Sequence, residues 1–401
     1  MALMPVAEAL ECLLAGVVPL PVEPALLTEA HGRVLATDLT ALRTQPPANV
    51  SAMDGYAVRG GDVAAPARLN VIGEVAAGRP FSGEVAPGQA ARIFTGGVLP
   101  KGADTVVIQE ATRREGDVVI ITSATAPGRN VRRHGLDFKK GDTLLRAGER
   151  LTSRSLALAA AMNHPTVPVH RRPRVATLAT GDELVTPGSA AGVGQVISSN
   201  GLALGALIRQ EGAEVVDLGI VGDERNATIA AIERARASGA DILVTAGGAS
   251  VGEYDLVHEA LTALGMQLAF WKVALRPGKP LLHGRLAGMR VLGVPGNPVS
   301  AFVCAFLFLV PLIRRLAGRA DLAPEPESAV LGTDLPANDE RRDYLRATLA
   351  MRDGRMIARP FPIQDSSMLA PLAKADCMVV REPFAPATVA GSPCTILKLG
   401  L

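Results

Sequence analysis

The residues able to do chemistry crowd into loops that follow short apolar runs. In Asp241-Ile-Leu-Val-Thr-Ala-Gly-Gly-Ala-Ser-Val-Gly-Glu-Tyr-Asp255 an apolar stretch stops at Thr245. A turn of small residues follows (Gly247, Gly248, Gly252), carrying Ser250, Glu253 and Asp255. Leu256, Val257, Ala260, Leu261 and Leu264 then recur at helical spacing. Strand, small-residue loop and helix in that order bring backbone N–H groups and a helix N-terminus to one sheet edge. That edge suits a phosphate or another oxyanion. Comparable exits supply Asp182, Glu183, Asp223, Lys272, Arg276, Lys279 and Ser300. Cations there take an anion, and two or three carboxylates hold Mg²⁺, which keeps water and phosphate as its other ligands. Taken singly, Asp223 at a helix start is also an ordinary N-cap residue, and Lys279 suits a merely solvated loop.

Several other chemistries are excluded. Pro280 follows Lys279 where a phosphate-binding P-loop needs Ser or Thr, and no glycine stands five residues before Gly278. GxGxxG does not occur. The cysteines (Cys12, Cys304, Cys377, Cys394) form no CxxC and have no His at metal-ligand spacing, which fits free thiols in a reducing compartment. With a net charge of +2 and no basic block longer than three residues, nucleic acid is excluded as principal partner. No basic stretch opens the chain, and Glu8 and Glu11 interrupt any apolar core, so no export signal is expected and the cytoplasm is the expected location. The apolar stretch 299–313 contains Ser300 and Pro311 and is shorter than the roughly 20 residues of a membrane span. It reads as a buried helix, and no membrane is expected.

The elements that must position these loops divide 401 residues into several units. Residues 5–19 carry Val6, Leu10, Leu13, Leu14 and Val17 on one helical face. Residues 1–48 and 139–172 form a discontinuous helical/linker unit, with a helix from Ser153. Between them, 49–138 reads as a small, mostly β domain with strands near 69–74, 90–94 and 105–109 and a tight turn at Asp54-Gly55. From Pro173 strands alternate with helices through 321, which predicts a parallel sheet covered on both faces. Ser198-Ser-Asn200 and Asn297 read as caps of two of those helices, with Pro298 in the first turn of the second. Residues 322–401 read as a compact, barrel-like β domain after the linker Ala323-Pro-Glu-Pro-Glu-Ser328. The fold class is therefore multidomain α/β plus β.

Taken together, Ser51-Ala-Met-Asp-Gly-Tyr-Ala57, Thr95-Gly-Gly, Thr180-Gly-Asp-Glu-Leu184, the 247–255 loop, Arg276-Pro-Gly-Lys-Pro280 and Pro295-Gly-Asn-Pro-Val-Ser300 resemble the molybdopterin molybdenumtransferase family. That family includes bacterial MoeA and the gephyrin E domain, and the match runs in order over nearly the whole chain. The resemblance implies insertion of molybdate into adenylylated molybdopterin with release of AMP, a divalent cation such as Mg²⁺, and an elongated homodimer whose cleft is completed by the partner chain. It implies catalytic roles for Asp54, Thr95, Asp137, Glu183, Lys272 and Arg276. Arg132, Gly247, Gly248, Ser250, Lys279, Pro295, Pro298, Ser300, Arg346, Ser366 and Ser367 would bind substrate, and Asp223 and Asp255 the metal. In the expected chemistry Lys272, Arg276 and Arg346 neutralise molybdate, Glu183 orients the nucleophile or moves a proton, and the 247–252 loop holds the pterin-side phosphate. Contacts with an adenylyltransferase and with molybdoenzyme maturation proteins are further expectations. Arg276 stands where some members have Lys, Asp365 where Gly is expected, and Gly222 where bulkier residues are common. A molybdopterin adenylyltransferase, which shares the α/β loops, and a gephyrin-like scaffold without catalysis are the alternatives.

Overall fold

A computed structural model describes residues 3–247 and 256–400. The runs Arg174–Thr180, Ile242–Ala246 and Met289–Val294 are almost wholly buried, as strands covered on both faces must be. They form the middle of a six-stranded sheet in the order Glu214–Val221, Arg174–Thr180, Ile242–Ala246, Met289–Val294, Leu282–Leu286, Gln267–Trp271. Alternate residues feed two cores. Val175, Ile242, Val244 and Leu292 pack with helices Asn200–Gln210 and Pro298–Cys304, while Ala176, Leu178, Leu243 and Val291 pack with Arg225–Ala237 and Leu256–Ala263.

The expectation of a fully parallel sheet is corrected at one edge. The first four strands are parallel, but Leu282–Leu286 runs against them, and Gln267–Trp271, antiparallel to Leu282–Leu286, points the same way as the first four. Leu286 pairs with Met289 across Ala287 and Gly288, both at positive φ, a two-residue reversal that cannot lead to a parallel neighbour. His283, Gly284 and Arg285 break the apolar pattern there, so this strand does not announce itself in the sequence.

The stretch Pro298–Leu316 is long and apolar enough to cross a membrane, yet 89% of its window is buried inside the protein. It runs as helix Pro298–Cys304, a wider π-turn segment Ala305–Leu309 and helix Val310–Leu316. Pro311, which has no N–H to donate, falls directly after the wide turns that loosen the usual bonding pattern. Helix Val6–Leu14 buries Val6, Ala9 and Leu13 in this same core. The opening helix thus packs with the α/β domain, although the sequence reading places it in the helical/linker unit.

The rest of that unit is built from paired short strands, Val22–Leu26 with Thr166–His170 and Leu39–Thr40 with Thr143–Leu145, around Leu35, Leu151 and Met162. Its helix Ser153–Ala161 is capped by Thr152, which exchanges bonds with Ser155, and not by Ser153. The small β domain is a six-stranded sheet in the order Thr105–Ile108, Gly55–Val58, Gln89–Ile93, Ala67–Val75, Val118–Ile121, Thr112–Glu115. In the C-terminal domain Arg342–Arg352 pairs with both Arg355–Pro360 and Cys377–Arg381, closing a barrel with Glu327–Leu331 and Pro393–Lys398. The short strand Leu275–Arg276 of the α/β domain adds to this barrel, parallel to the start of Arg342–Arg352.

Candidate functional site

Thr180 ends the strand Arg174–Thr180, and its buried hydroxyl has no hydrogen-bond partner among the described residues. Gly247, at φ +100, faces it so closely that a Cβ there would stand 2.5 Å from the Thr180 carbonyl oxygen. Only glycine fits. Glu183 is exposed and folds its carboxylate back over Gly181, where a Cβ would meet Oε2 at 2.4 Å. Asp182 and Asp223 bind each other reciprocally. Asp182 Oδ1 accepts the Asp223 N–H at 2.9 Å, and Asp223 Oδ2 accepts the Asp182 N–H at 3.4 Å. A Cβ on Gly222 would stand 2.7 Å from Asp182 Oδ1, which explains the glycine there.

The N-cap reading of Asp223 does not hold. Glu224 caps helix Arg225–Ala237, accepting from Asn226 N and Ala227 N. Asp182 and Asp223 thus form a pair of oxygen-only donors at adjacent strand exits, the donor set that a hard divalent cation with remaining water and phosphate ligands takes. Among the described residues no group of three or more carboxylates, His or Cys could hold a metal. Asp255, the second expected metal ligand, and Gly248 and Ser250 of the phosphate loop lie outside the described residues.

Two helices start at this edge, and neither has a side-chain cap bond. Ser199 stands at the N-cap of Asn200–Gln210 without capping it, and Asn200 Nδ2 donates to the Gly296 carbonyl at 2.7 Å. Asn297 occupies the N-cap of Pro298–Cys304, with Pro298 in the first turn, but its Nδ2 donates to Ser366 Oγ at 2.9 Å. The expectation that Ser198-Ser-Asn200 and Asn297 cap through their side chains is therefore corrected. These side chains knit loops together and leave the first-turn N–H groups of Asn200–Gln210 without a side-chain acceptor. Between the helix starts lies a cavity of about 570 Å³ lined by Thr180, Glu183, Ser198 to Asn200, Gly247, Pro280, Pro295 to Pro298, and, from the C-terminal domain, Ser367 and Leu369. The start of Asn200–Gln210, whose first-turn N–H groups have no side-chain acceptor, favours an anion in this space; at the other helix start Pro298 has no N–H and the Val299 N–H is taken by Ser366. Ser300 is buried one turn into its helix and does not line the cavity.

The C-terminal side of the cavity is a loop held from below. Arg346, fully buried, donates to Gln364 Oε1 at 3.1 Å and to the carbonyls of Asp365 (2.9 Å) and Met368 (3.3 Å), while its Nη2 has no partner among the described residues. The Ser366 carbonyl accepts the Val299 N–H at 3.0 Å, docking the loop on the helix start. Asp365 Oδ1 takes both the Ser367 N–H (2.8 Å) and its hydroxyl (2.6 Å), and these bonds hold the Asp365 carboxyl below its ordinary value. The negative charge at the unexpected Asp365 is spent on shaping this turn. Arg346 and Ser367, expected to hold an oxyanion directly, are here committed to the loop.

The cations divide. Lys279 is exposed and makes no ion pair among the described residues, and Lys272, at φ +85, places Nζ 5.7 Å from the centre of the Trp271 ring. Arg276 is corrected as a free cation. Its Nε donates to Asp343 Oδ1 at 2.6 Å, Nη1 to Asp339 at 2.9 Å and Nη2 to Asn338 at 2.9 Å and to Asp343 Oδ2. Burial pushes the Asp343 carboxyl up while Arg276 draws it back, and the Asp343 bonds push the guanidinium's own value up. The side chain bolts the α/β domain to the barrel and borders a separate cavity of about 550 Å³ with Pro336, Phe361 and Arg381.

The small β domain brings Asp54 and Thr95 together. Asp54 Oδ1 accepts from the Thr95 N–H at 2.7 Å and its hydroxyl at 2.8 Å, holding this carboxyl below its ordinary value. Arg132 lies on the two-residue strand Val131–Arg132 beside Val50–Ser51, and the Asp137 N–H donates to Gln45. None of Asp54, Thr95, Arg132 and Asp137 lines the cavity of their own chain. Conversely, Thr180, Ser198, Ser199 and Asn297 line the cavity without being expected as ligand-binding residues from the sequence. A helix start with Ser or Asn at a strand-exit edge was the signal that could have found most of them.

Comparison with known proteins places three family models end to end on the chain. The MoeA N-terminal region (domain I and II) matches residues 4–163, a probable molybdopterin binding domain 176–315, and the MoeA C-terminal region (domain IV) 328–399. The chain is 36% identical over 373 residues to a molybdopterin molybdenumtransferase of Haemophilus influenzae, with 92% of each chain covered. It is 41% identical over 338 residues to the protein of that name from Nostoc, covering 82% of this chain and 77% of that one. The solved structure of a molybdopterin biosynthesis MoeA protein from Pyrococcus horikoshii superimposes with a TM-score of 0.83 at 29% identity, over 99% of this chain and 100% of the other.

Proposed function

The chain belongs to the MoeA family of molybdopterin molybdenumtransferases, and from that premise we propose that it inserts molybdate into adenylylated molybdopterin and releases AMP. The observation that carries this reading is the cavity where the helix start at Asn200, with its first-turn N–H groups free of a side-chain cap, meets Thr180, Gly247 and the C-terminal serine loop. Each helix end favours a nearby anion by about 0.3–1 kcal/mol, and each charge-assisted hydrogen bond adds roughly 1.5–3 kcal/mol. The phosphate of the ligand rests on these donors. Molybdate, also an anion, is drawn in by Lys279 and Lys272, while Arg346 keeps the Ser366–Ser367 turn in place to meet it. Glu183, exposed at the cavity wall, orients the attacking oxygen and accepts its proton. The attacking oxygen bonds to the AMP phosphorus as the bond from that phosphorus to the bridging oxygen breaks, so AMP leaves with the attacker's oxygen and the bridging oxygen stays on the pterin-side phosphate.

Mg²⁺ fits the Asp182–Asp223 pair, and when bound it would offset negative charge on the phosphoanhydride. We further infer a cytoplasmic homodimer. Asp54, Thr95, Arg132 and Asp137 stand away from the cavity of their own chain, and the strand Val22–Leu26 exposes Val22 and Leu26. A partner's small β domain is the reading that brings the Asp54 cluster to the site. MoeA-type regions on both sides of the α/β domain speak against an adenylyltransferase.

The test is AMP release from adenylylated molybdopterin with molybdate, with and without Mg²⁺. No release under conditions where a known family member is active overturns the reading. Mixing inactive D54N and E183Q variants tests the shared cleft: recovery toward a quarter of wild-type activity is expected, and no recovery excludes it. Oxygen-18 in molybdate or in water, traced into AMP, identifies the attacking oxygen.

A further inference from the structure

Arg92 has a setting that the reading above leaves unused. It lies on the strand Gln89–Ile93, directly opposite Tyr56 of the strand Gly55–Val58. Its guanidinium stands 5.3 Å from the centre of the Tyr56 ring and 4.8 Å from that of Phe94. Nη1 donates to the Gly55 carbonyl at 3.2 Å, and Nη2 reaches Gln109 Oε1 at 2.9 Å. The backbone N–H of Gln109 in turn donates to the Asp54 carbonyl at 3.0 Å. One side chain thus ties the ends of three adjacent strands, Gln89–Ile93, Gly55–Val58 and Thr105–Ile108, at the point where Asp54 enters the sheet.

Arg92 makes no ion pair among the described residues, so its charge is not spent on a bonded carboxylate. Asp54, next in sequence to the Gly55 that Arg92 binds, feels that charge. Thr95 takes up Asp54 Oδ1 twice, and Oδ2 accepts no hydrogen bond among the described residues. The other charged groups on the elements around Asp54 are Glu110, in the turn Gln109–Ala111, and Arg132, on the strand beside Val50–Ser51. The Thr95 turn itself contributes no charge.

We propose that Arg92 is a positioning residue for Asp54, fixing the strand end from which it projects and placing a positive charge beside it, so that Oδ2 stands ready as an acceptor. The inference rests on the reading that Asp54 serves molybdate insertion. A flat, forked guanidinium does both tasks at once. A lysine restores only the charge, because it can neither lie between two rings as a plane nor bind Gly55 and Gln109 as a rigid fork.

The experiment uses the full-length protein as wild type, R92K, R92M and D54N. The Asp54 carboxyl carbon is followed by NMR through a pH titration, with D54N assigning the signal, beside the kinetics of AMP release. In R92M the Asp54 midpoint rises by about half a pH unit, the size expected of one exposed charge. AMP release falls about tenfold in kcat with little change in KM, as for a misplaced catalytic group. R92K holds the midpoint near wild type but still loses kcat. An unmoved midpoint in R92M, or wild-type kcat in R92K, overturns the proposal. If R92M does not fold, R92K decides it through kcat. A wild-type protein that releases no AMP sinks the functional reading instead, and the titration still judges Arg92.

Discussion

The two ends of the central sheet treat their polar groups in opposite ways. At the end where the strands begin, Asp241 and Glu211 are both paired with arginines, and the buried Arg290 donates to the Leu13 and Ala15 carbonyls. Asp241 takes Arg171 through both oxygens, at 2.7 and 3.1 Å, and the Arg174 N–H at 2.8 Å. Glu211, 3% exposed, takes Arg314 at 2.7 and 2.9 Å and Arg319 at 2.8 Å, and Arg319 also binds Asp321. At the end where the strands finish, the hydroxyls of Thr180 and Thr245 are buried without partners among the described residues, and two helices start without side-chain caps. A buried polar group left unpaired costs stability, so it persists where a ligand supplies the missing bond. At these two ends the paired carboxylates mark the scaffold and the unpartnered hydroxyls mark the site.

Breaking the satisfied end has the largest expected effect. Glu211→Ala leaves two arginines buried without their carboxylate and lowers stability by about 3–5 kcal/mol. Urea denaturation checks this, and AMP release by the folded fraction stays unchanged; a loss below about 1 kcal/mol would erase the contrast. Next is His283, whose Nδ1 binds the Val291 carbonyl while its Nε2 is buried without a partner among the described residues. Burial pulls this imidazole from 6.5 down to about 4. The unfolded chain therefore binds the extra proton first as the pH falls. Stability is full above about pH 6.5 and is lost progressively toward pH 4, by about 3 kcal/mol. His283→Asn flattens that dependence in melts recorded across this range.

A smaller effect of opposite sign tests the open end. Thr180→Val removes an unpartnered hydroxyl, so stability holds or rises by up to about 1 kcal/mol while AMP binds several-fold more weakly by calorimetry. A variant that is both less stable and unchanged in AMP binding would place Thr180 with the scaffold. The smallest change is Ser199→Ala, within a few tenths of a kcal/mol because no cap bond is lost. Thr152→Ala, which breaks a real capping box, costs about 1 kcal/mol.

The contrast also separates what a sequence discloses from what it hides. Strands buried on both faces write continuous apolar runs, so 242–246 and 290–294 are legible one residue at a time. Loops that leave them are legible for the same reason, and Glu183, Pro295 and Pro298 follow from their place just past a strand. Bonds between distant residues leave no local trace. Nothing near Arg276 reveals Asp343, 67 positions later, so a paired cation reads as a free one. Arg346 could have been flagged, since a strand's two-residue period sets it on the same side as the buried Tyr344. The helix starts were visible as Ser199 and Asn297. What they bind is decided by Gly296 and Ser366, which only the folded chain brings near.

The C-terminal barrel borrows a strand. Leu275–Arg276 belongs by sequence to the α/β domain and by hydrogen bonding to the barrel. A boundary drawn at 321 therefore cuts the chain but not the sheet. Whoever grafts the barrel onto another protein, or trims it from this one, must carry or replace residues some fifty positions upstream. The two modules are inherited as one.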